Sequence, residues 1–109
     1  MNKRQKGNYY LKKTIDWLKT KGYEVAKTET IKMAWIKGRI IPIKTDIWGS
    51  DLMAKSETEF IFIQVKTDKS DTYKAKKEFN KTVWPPFIQR WVVRWPARSK
   101  SPVILKCEL

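Results

Sequence analysis

The run DIWGSDLMAKSETEFIFIQVK at residues 46–66 constrains the fold more than any other stretch of the chain. Its second half, Phe60-Ile61-Phe62-Ile63-Gln64-Val65-Lys66, has the β-branched and aromatic content of a buried strand. Side chains alternate faces along a strand, so Phe60, Phe62, Gln64 and Lys66 share one side while Ile61, Ile63 and Val65 share the other. A strand that starts apolar and ends in an amide and an ammonium predicts a sheet leaving its core for a site. The first half, with Asp51-Leu52-Met53-Ala54, forms the other arm of a hairpin. Loop length then decides which way Asp51 faces. A four-residue loop at 56–59 pairs Lys55 with Phe60 and sets Asp51 opposite Gln64 on the same face. A three-residue loop pairs Asp51 with Ile63 and turns it away, unless a β-bulge restores the phase.

The elements around the hairpin follow from periodicity and punctuation. Asn8 can cap a helix reaching about Lys21, with Leu11, Ile15 and Leu18 on its apolar stripe and Gly22 at its stop position. The residues before it, 1–7, form a basic flexible arm carrying Lys3, Arg4 and Lys6. A strand is expected over 23–30. Residues 31–45 look extended, with a turn at Gly38 and an edge position at Pro42, and an exposed loop there could touch DNA. A second helix is expected over 72–83, stopped by Trp84-Pro85-Pro86. Residues 89–95 alternate, placing Trp91, Val93 and Trp95 on one side and Arg90 and Arg94 on a basic outer face. A basic turn at 96–102, with Arg98 and Lys100, leads to a last strand at 103–107. This order is an α/β sandwich around a mixed central sheet, with 1–109 as one domain.

Composition removes most catalytic options. With no histidine and only Cys107, the chain can build neither a Cys/His zinc site, nor an intrachain disulfide, nor a Ser-His or Cys-His catalytic arrangement. Chemistry here must use Asp, Glu, Lys, Tyr or a metal held by oxygen ligands. The net charge of +13 points to a polyanion, because phosphate neutralisation by Lys and Arg is the main sequence-independent source of nucleic-acid affinity. The charge is also segregated: no Asp or Glu occurs across 79–107, and only Asp16 offsets the seven cations of residues 1–21. No window approaches the roughly 18 consecutive apolar residues of a membrane span, nor is there a signal-peptide core, so a cytoplasmic, DNA-associated protein with no membrane partner is expected.

A carboxylate beside a carbonyl-bearing side chain can hold Mg²⁺, which prefers hard oxygen ligands. A neighbouring lysine can orient or help deprotonate a water and offset charge developing on phosphate. Asp51, Gln64 and Lys66 supply those groups. In this context the sequence resembles the PD-(D/E)xK nuclease superfamily and, within it, the archaeal-type Holliday junction resolvases. Ser50-Asp51-Leu52-Met53-Ala54 is similar to the superfamily's acid-bearing strand, and Ile63-Gln64-Val65-Lys66 to its Glu-x-Lys strand. Lys3-Arg4-Gln5-Lys6-Gly7 and the helix ending Lys21-Gly22-Tyr23 look like the resolvase N-terminus. The resemblance implies a restriction-endonuclease-like mixed central sheet flanked by helices. It also implies a Mg²⁺-dependent endonuclease, with Mn²⁺ as an alternative ion, resolving four-way DNA junctions as a homodimer. Asp51, Gln64 and the Val65 backbone carbonyl would hold the metal, and Lys66 would position the attacking water; Asp46, at the entry to the strand, stays open as either a replacement ligand or a solvated turn acid. Lys3, Arg4, Lys6, Arg90, Arg94, Arg98 and Lys100 would bind DNA. The chain departs from the family at two positions: Gln64 replaces a Glu, and Leu11 stands where the first helix carries another Glu. Two other functions stay open, a nicking or restriction-type nuclease of the same fold and a non-catalytic DNA-binding protein.

Overall fold

The computed structural model describes residues 3–28, 30–45 and 47–107. Its elements run α1 (Lys3–Thr20), β1 (Glu24–Lys27), β2 (Thr30–Ile36), β3 (Arg39–Thr45), β4 (Leu52–Lys55), β5 (Phe60–Lys66), α2 (Lys69–Asn80), β6 (Gln89–Arg94) and β7 (Val103–Lys106). Five strands form one sheet in the order β1-β4-β5-β6-β7, with β5 and β6 parallel and every other pair antiparallel. The parallel pair needs a crossover, and α2 supplies it. The architecture is the expected mixed α/β sheet with helices on both faces. β2 and β3 stand apart as a separate two-stranded ribbon.

Each face of the sheet has its own core. On the α1 side, Leu18 packs with Leu52, Ala54, Ile61, Ile63, Trp91, Val93 and Trp95. Apart from Leu18 of α1 and Trp95 just past β6, these residues come from alternate positions of β4, β5 and β6, as strand geometry requires. Trp95 brings an indole N–H into this core and finds a partner there: it donates to Thr14 Oγ1 at 2.8 Å, and Thr14 in turn donates to the Tyr10 carbonyl at 2.7 Å. On the α2 side, Phe62, Ala75, Phe79, Trp84, Val92 and Cys107 form the second core. The Trp84 indole N–H donates to the Phe79 carbonyl at 2.8 Å, an acceptor near the end of α2 that also takes the Thr82 N–H at 3.3 Å.

Three expectations change. Helix α1 begins at Lys3, so residues 3–7 are its first turns and not a mobile arm. Lys, Arg and Gln are good helix formers, and the single Gly7 costs only about 1 kcal/mol within a longer helix. Helix α2 starts and stops about three residues earlier than 72–83. The third change concerns Arg90. The alternation of β6 is real, but its second face lies under α2, so Arg90 is 3% exposed and not on an outer face. Its guanidinium donates to Asn80 Oδ1 at 2.8 Å and to the Cys107 carbonyl at 3.2 Å, while its Nε has no partner. A buried cation engaged in this way holds α2 and β7 to β6 and is withdrawn from phosphate contact. No helix among the described residues is long and apolar enough to cross a membrane.

Candidate active site

The hairpin of β4 and β5 has the four-residue connection. Lys55 pairs with Phe60 and Leu52 with Ile63, and the Ser56 N–H donates to the Glu59 carbonyl at 3.0 Å to close the loop. Carried one step further, this register brings Asp51 level with Gln64. There the regular ladder gives way. The Asp51 N–H donates to the Ile63 carbonyl at 2.8 Å, and its carboxylate reaches across to accept the Val65 N–H at 2.9 Å. Beyond Leu52 the β4 side offers Val65 no regular backbone partner, so the Asp51 side chain takes that role. The N–H and C=O of one strand residue point toward the same neighbouring strand, so the Val65 carbonyl faces the same gap as the Asp51 carboxylate. The Asp51 carboxylate is thus bound to the backbone of Val65, the residue between Gln64 and Lys66.

What bends the chain so that Asp51 arrives there is the turn before it. Ile47 and Ser50 form an isolated antiparallel bridge across Trp48 and Gly49, which take φ of 52° and 78°. Gly49 is required twice over. Its φ is in the left-handed region that glycine adopts without steric cost, and a Cβ on it would lie 3.2 Å from Gln64 Nε2 and 3.3 Å from Glu78 Cγ. The exposed Trp48 ring nevertheless rests edge-on against Phe62 and Trp84, with centroids 5.5 and 5.7 Å away. Fully buried Ser50 then locks the strand end: its hydroxyl donates to the Ile47 carbonyl at 2.6 Å and lies 2.7 Å from Thr28 Oγ1.

Gln64 is 5% exposed, so its amide is withdrawn from bulk water. Lys66 is half-buried and pairs in register with Arg94, so two cations stand side by side on adjacent strands. Like charges so placed repel unless an anion lies between or above them. The turn that follows β6 carries Arg98 and Lys100, both exposed, from this same end of the sheet. Lys13 of α1 reaches that turn and donates to the Ser99 carbonyl at 3.2 Å. Lys6 is exposed on α1. Lys3 and Arg4 belong to the backbone of α1, and their side chains, like the whole of Asp46, fall outside the described residues. Leu11 packs with the α1-side core, so α1 presents an apolar group at that position.

Sequence reasoning overlooked Glu78 and Gly49. Glu78, on the exposed part of α2, and the Gln64 amide both lie against the Gly49 backbone. Its spacing from Gln64 gives no hint of this, because only the crossover of α2 over the sheet creates the proximity. Among the described residues no group of three or more His, Cys, Asp or Glu gathers closely enough to hold a metal. The oxygen donors at hand are the Asp51 carboxylate, the Gln64 amide and the Val65 carbonyl, a hard-donor set suited to Mg²⁺ but with a single formal charge.

No family model matches the sequence, and no curated protein matches it. Solved structures do resemble the fold. The Holliday junction resolvase Hjc of Archaeoglobus fulgidus, an archaeal hyperthermophile, superposes with a TM-score of 0.49 at 10% identity, over 92% of this chain and 88% of that one. The crystal structure of SSO0001 gives 0.48 at 15% identity, over 87% of this chain. This chain spans 47% of SSO0001.

Proposed function

We propose that this protein is a metal-dependent, structure-selective DNA endonuclease that resolves four-way junctions by phosphodiester hydrolysis, working as a homodimer. One observation carries the reading: the Asp51 carboxylate closes on the Val65 backbone between buried Gln64 and Lys66, at the end of the sheet where the paired cations Lys66 and Arg94 gather. Asp51, Gln64 and the Val65 carbonyl would hold Mg²⁺, which would polarise the scissile phosphate and lower the pKa of a water. Lys66 orients that water and offsets charge building on the phosphate oxygens. Arg94, Arg98 and Lys100 hold the flanking backbone. Two cuts related by the two-fold symmetry of a junction require two such sites, which a C₂ dimer provides.

An end-labelled four-way junction incubated with the protein and Mg²⁺ or Mn²⁺ tests this. Paired symmetric nicks are expected, and they should disappear in Asp51→Asn and in Lys66→Ala. Nicking that survives in either variant refutes the site. A second reading, a non-catalytic junction-binding protein, is favoured by the neutral Gln64 and by the apolar Leu11. It predicts tight junction binding with no metal-dependent cleavage.

A further inference from the structure

Strands β2 and β3 form a ribbon unlike the rest of the molecule. They pair from Thr30↔Thr45 to Ile36↔Arg39 around a two-residue turn in which Lys37 and Gly38 have φ of 51° and 75°. Positive φ at both central residues is the turn that matches the right-handed twist of a hairpin. The ribbon is about 24 Å long at about 3.4 Å per residue. A two-stranded hairpin is marginal in water, and this one exposes apolar groups on both faces. Trp35 is 75% exposed with Ile40 opposite it, and Met33 is 65% exposed with Pro42 opposite. On the other face, Ile36 and Ile41 are also exposed. Such a surface is built to be covered.

Charge and position identify what covers it. Residues 30–45 contain Lys32, Lys37, Arg39 and Lys44 and no acid. A second copy of the ribbon would set these cations against their own kind in a chain already carrying +13. A polyanion has the complementary charge. The ribbon also leaves the molecule at the candidate site: the Thr28 N–H donates to the Asp51 carbonyl at 3.1 Å, and the Thr28 hydroxyl donates to the Ser50 carbonyl at 2.7 Å. The leg that enters the ribbon is therefore pinned to the strand end that carries Asp51. A major groove about 12 Å wide admits a two-stranded ribbon, and apolar side chains can wedge into a base step that is already loosened.

We infer that the β2–β3 ribbon is a nucleic-acid wedge, which inserts Trp35 against a base face exposed where the DNA stack is interrupted, with Lys37 and Arg39 at the tip on the adjoining phosphates. This deepens the endonuclease reading by naming the feature of the substrate that is recognised, an unstacked step held beside Asp51.

The test uses the full chain without divalent metal and two DNAs of the same sequence, a four-way junction with 2-aminopurine at its branch point and an unbroken duplex. Trp35→Ala should weaken junction binding by about tenfold or more, the usual worth of one base–aromatic stack, and abolish the 2-aminopurine response. Duplex affinity should change by less than about twofold, since the cation–phosphate contacts remain. Trp35→Phe should restore most of the junction affinity. Unchanged melting midpoints are expected for both variants because Trp35 lies outside either core, and Ile40→Ser serves as an independent variant on the same ribbon face. Equal junction binding by wild type and Trp35→Ala, or an equal loss on both DNAs, overturns the wedge. So does conversion of a dimer to a monomer at unaltered affinity, which would assign the ribbon to a second copy. Asp51→Asn separates this inference from the nuclease reading, since it should bind the junction as wild type does. A wild-type protein that never cuts but loses junction affinity in Trp35→Ala refutes the nuclease and upholds the wedge.

Discussion

Replacing Gln64 by Glu asks whether the buried amide faces a cation site. At 5% exposure the introduced carboxylate loses most of its hydration, which raises its pKa, while Lys66 and its neighbour Arg94 pull the other way. With desolvation dominant and a net rise of about two units, the charged form costs about 2.7 kcal/mol at 1.36 kcal/mol per unit. The sign follows from linkage. A carboxyl whose folded-state pKa lies above the unfolded value of about 4.3 costs nothing below that pH, and its destabilisation grows until pH passes the raised value, near 6. At about pH 8 without divalent metal, the Gln64→Glu protein should therefore melt about 10–15 °C below wild type. Near pH 4 the two should melt together. Mg²⁺ at about ten times its dissociation constant should return about 1.4 kcal/mol, roughly half the loss. Scanning calorimetry at both pH values, with and without Mg²⁺, reads all of this. A Gln64→Glu protein as stable as wild type at about pH 8, or one destabilised without any recovery in Mg²⁺, would refute the idea that Gln64 lines a cation site.

Two further expectations rest on single groups. Arg90→Met replaces a buried cation with an apolar side chain of similar length, so stability should move by no more than about 1–2 kcal/mol. The salt dependence of DNA binding should stay the same in Arg90→Met, whereas Arg98→Ala or Lys100→Ala should each lower its log–log slope by about one. Burial raises the pKa of the Tyr23 phenol, and its hydrogen bond to Glu59 at 3.0 Å reinforces the shift. A raised pKa means that the folded state holds the proton more tightly. This contribution is full below the ordinary tyrosine value of about 10 and fades as pH rises through the folded-state value. Alkaline melts should show that loss in wild type and a shallower one in Tyr23→Phe.

Much of the site was legible because it is local. The alternation of Phe60–Lys66 and the four residues between Lys55 and Phe60 together specify the β4–β5 register, which the structure keeps as far as Leu52 and Ile63, whereas the bonds of Asp51 to the Ile63 and Val65 backbone lie beyond that ladder. The same alternation misled on β6. Period-two patterning assigns Arg90 and Arg94 to a common face but does not say whether a helix covers it. The Lys-rich sequence of α2 hides how few residues it needs for docking, since Thr72, Ala75 and Phe79 supply the buried stripe at spacings of three and four. The meeting of Glu78, Gly49 and Gln64 depends on the same crossover and has no signature in the linear order. In residues 30–45 the extended character and the turn at Gly38 could be read, whereas the detachment of this ribbon from the main sheet is a tertiary property. An apolar ribbon exposed on both faces contradicts the usual rule that strands hide at least one side, and such contradictions collect at surfaces that serve a partner.

The pinning of Thr28 to Ser50 and Asp51 has a consequence for modularity. These contacts close a loop of 22 residues, and the β1–β4 ladder on their other side would run as an ordinary antiparallel pair without it. By polymer statistics, a short turn of about four residues in place of the loop would recover roughly 1.5 kcal/mol of closure entropy. The ribbon is therefore an insertion that the β1–β4 pairing does not require, and its length costs the chain closure entropy.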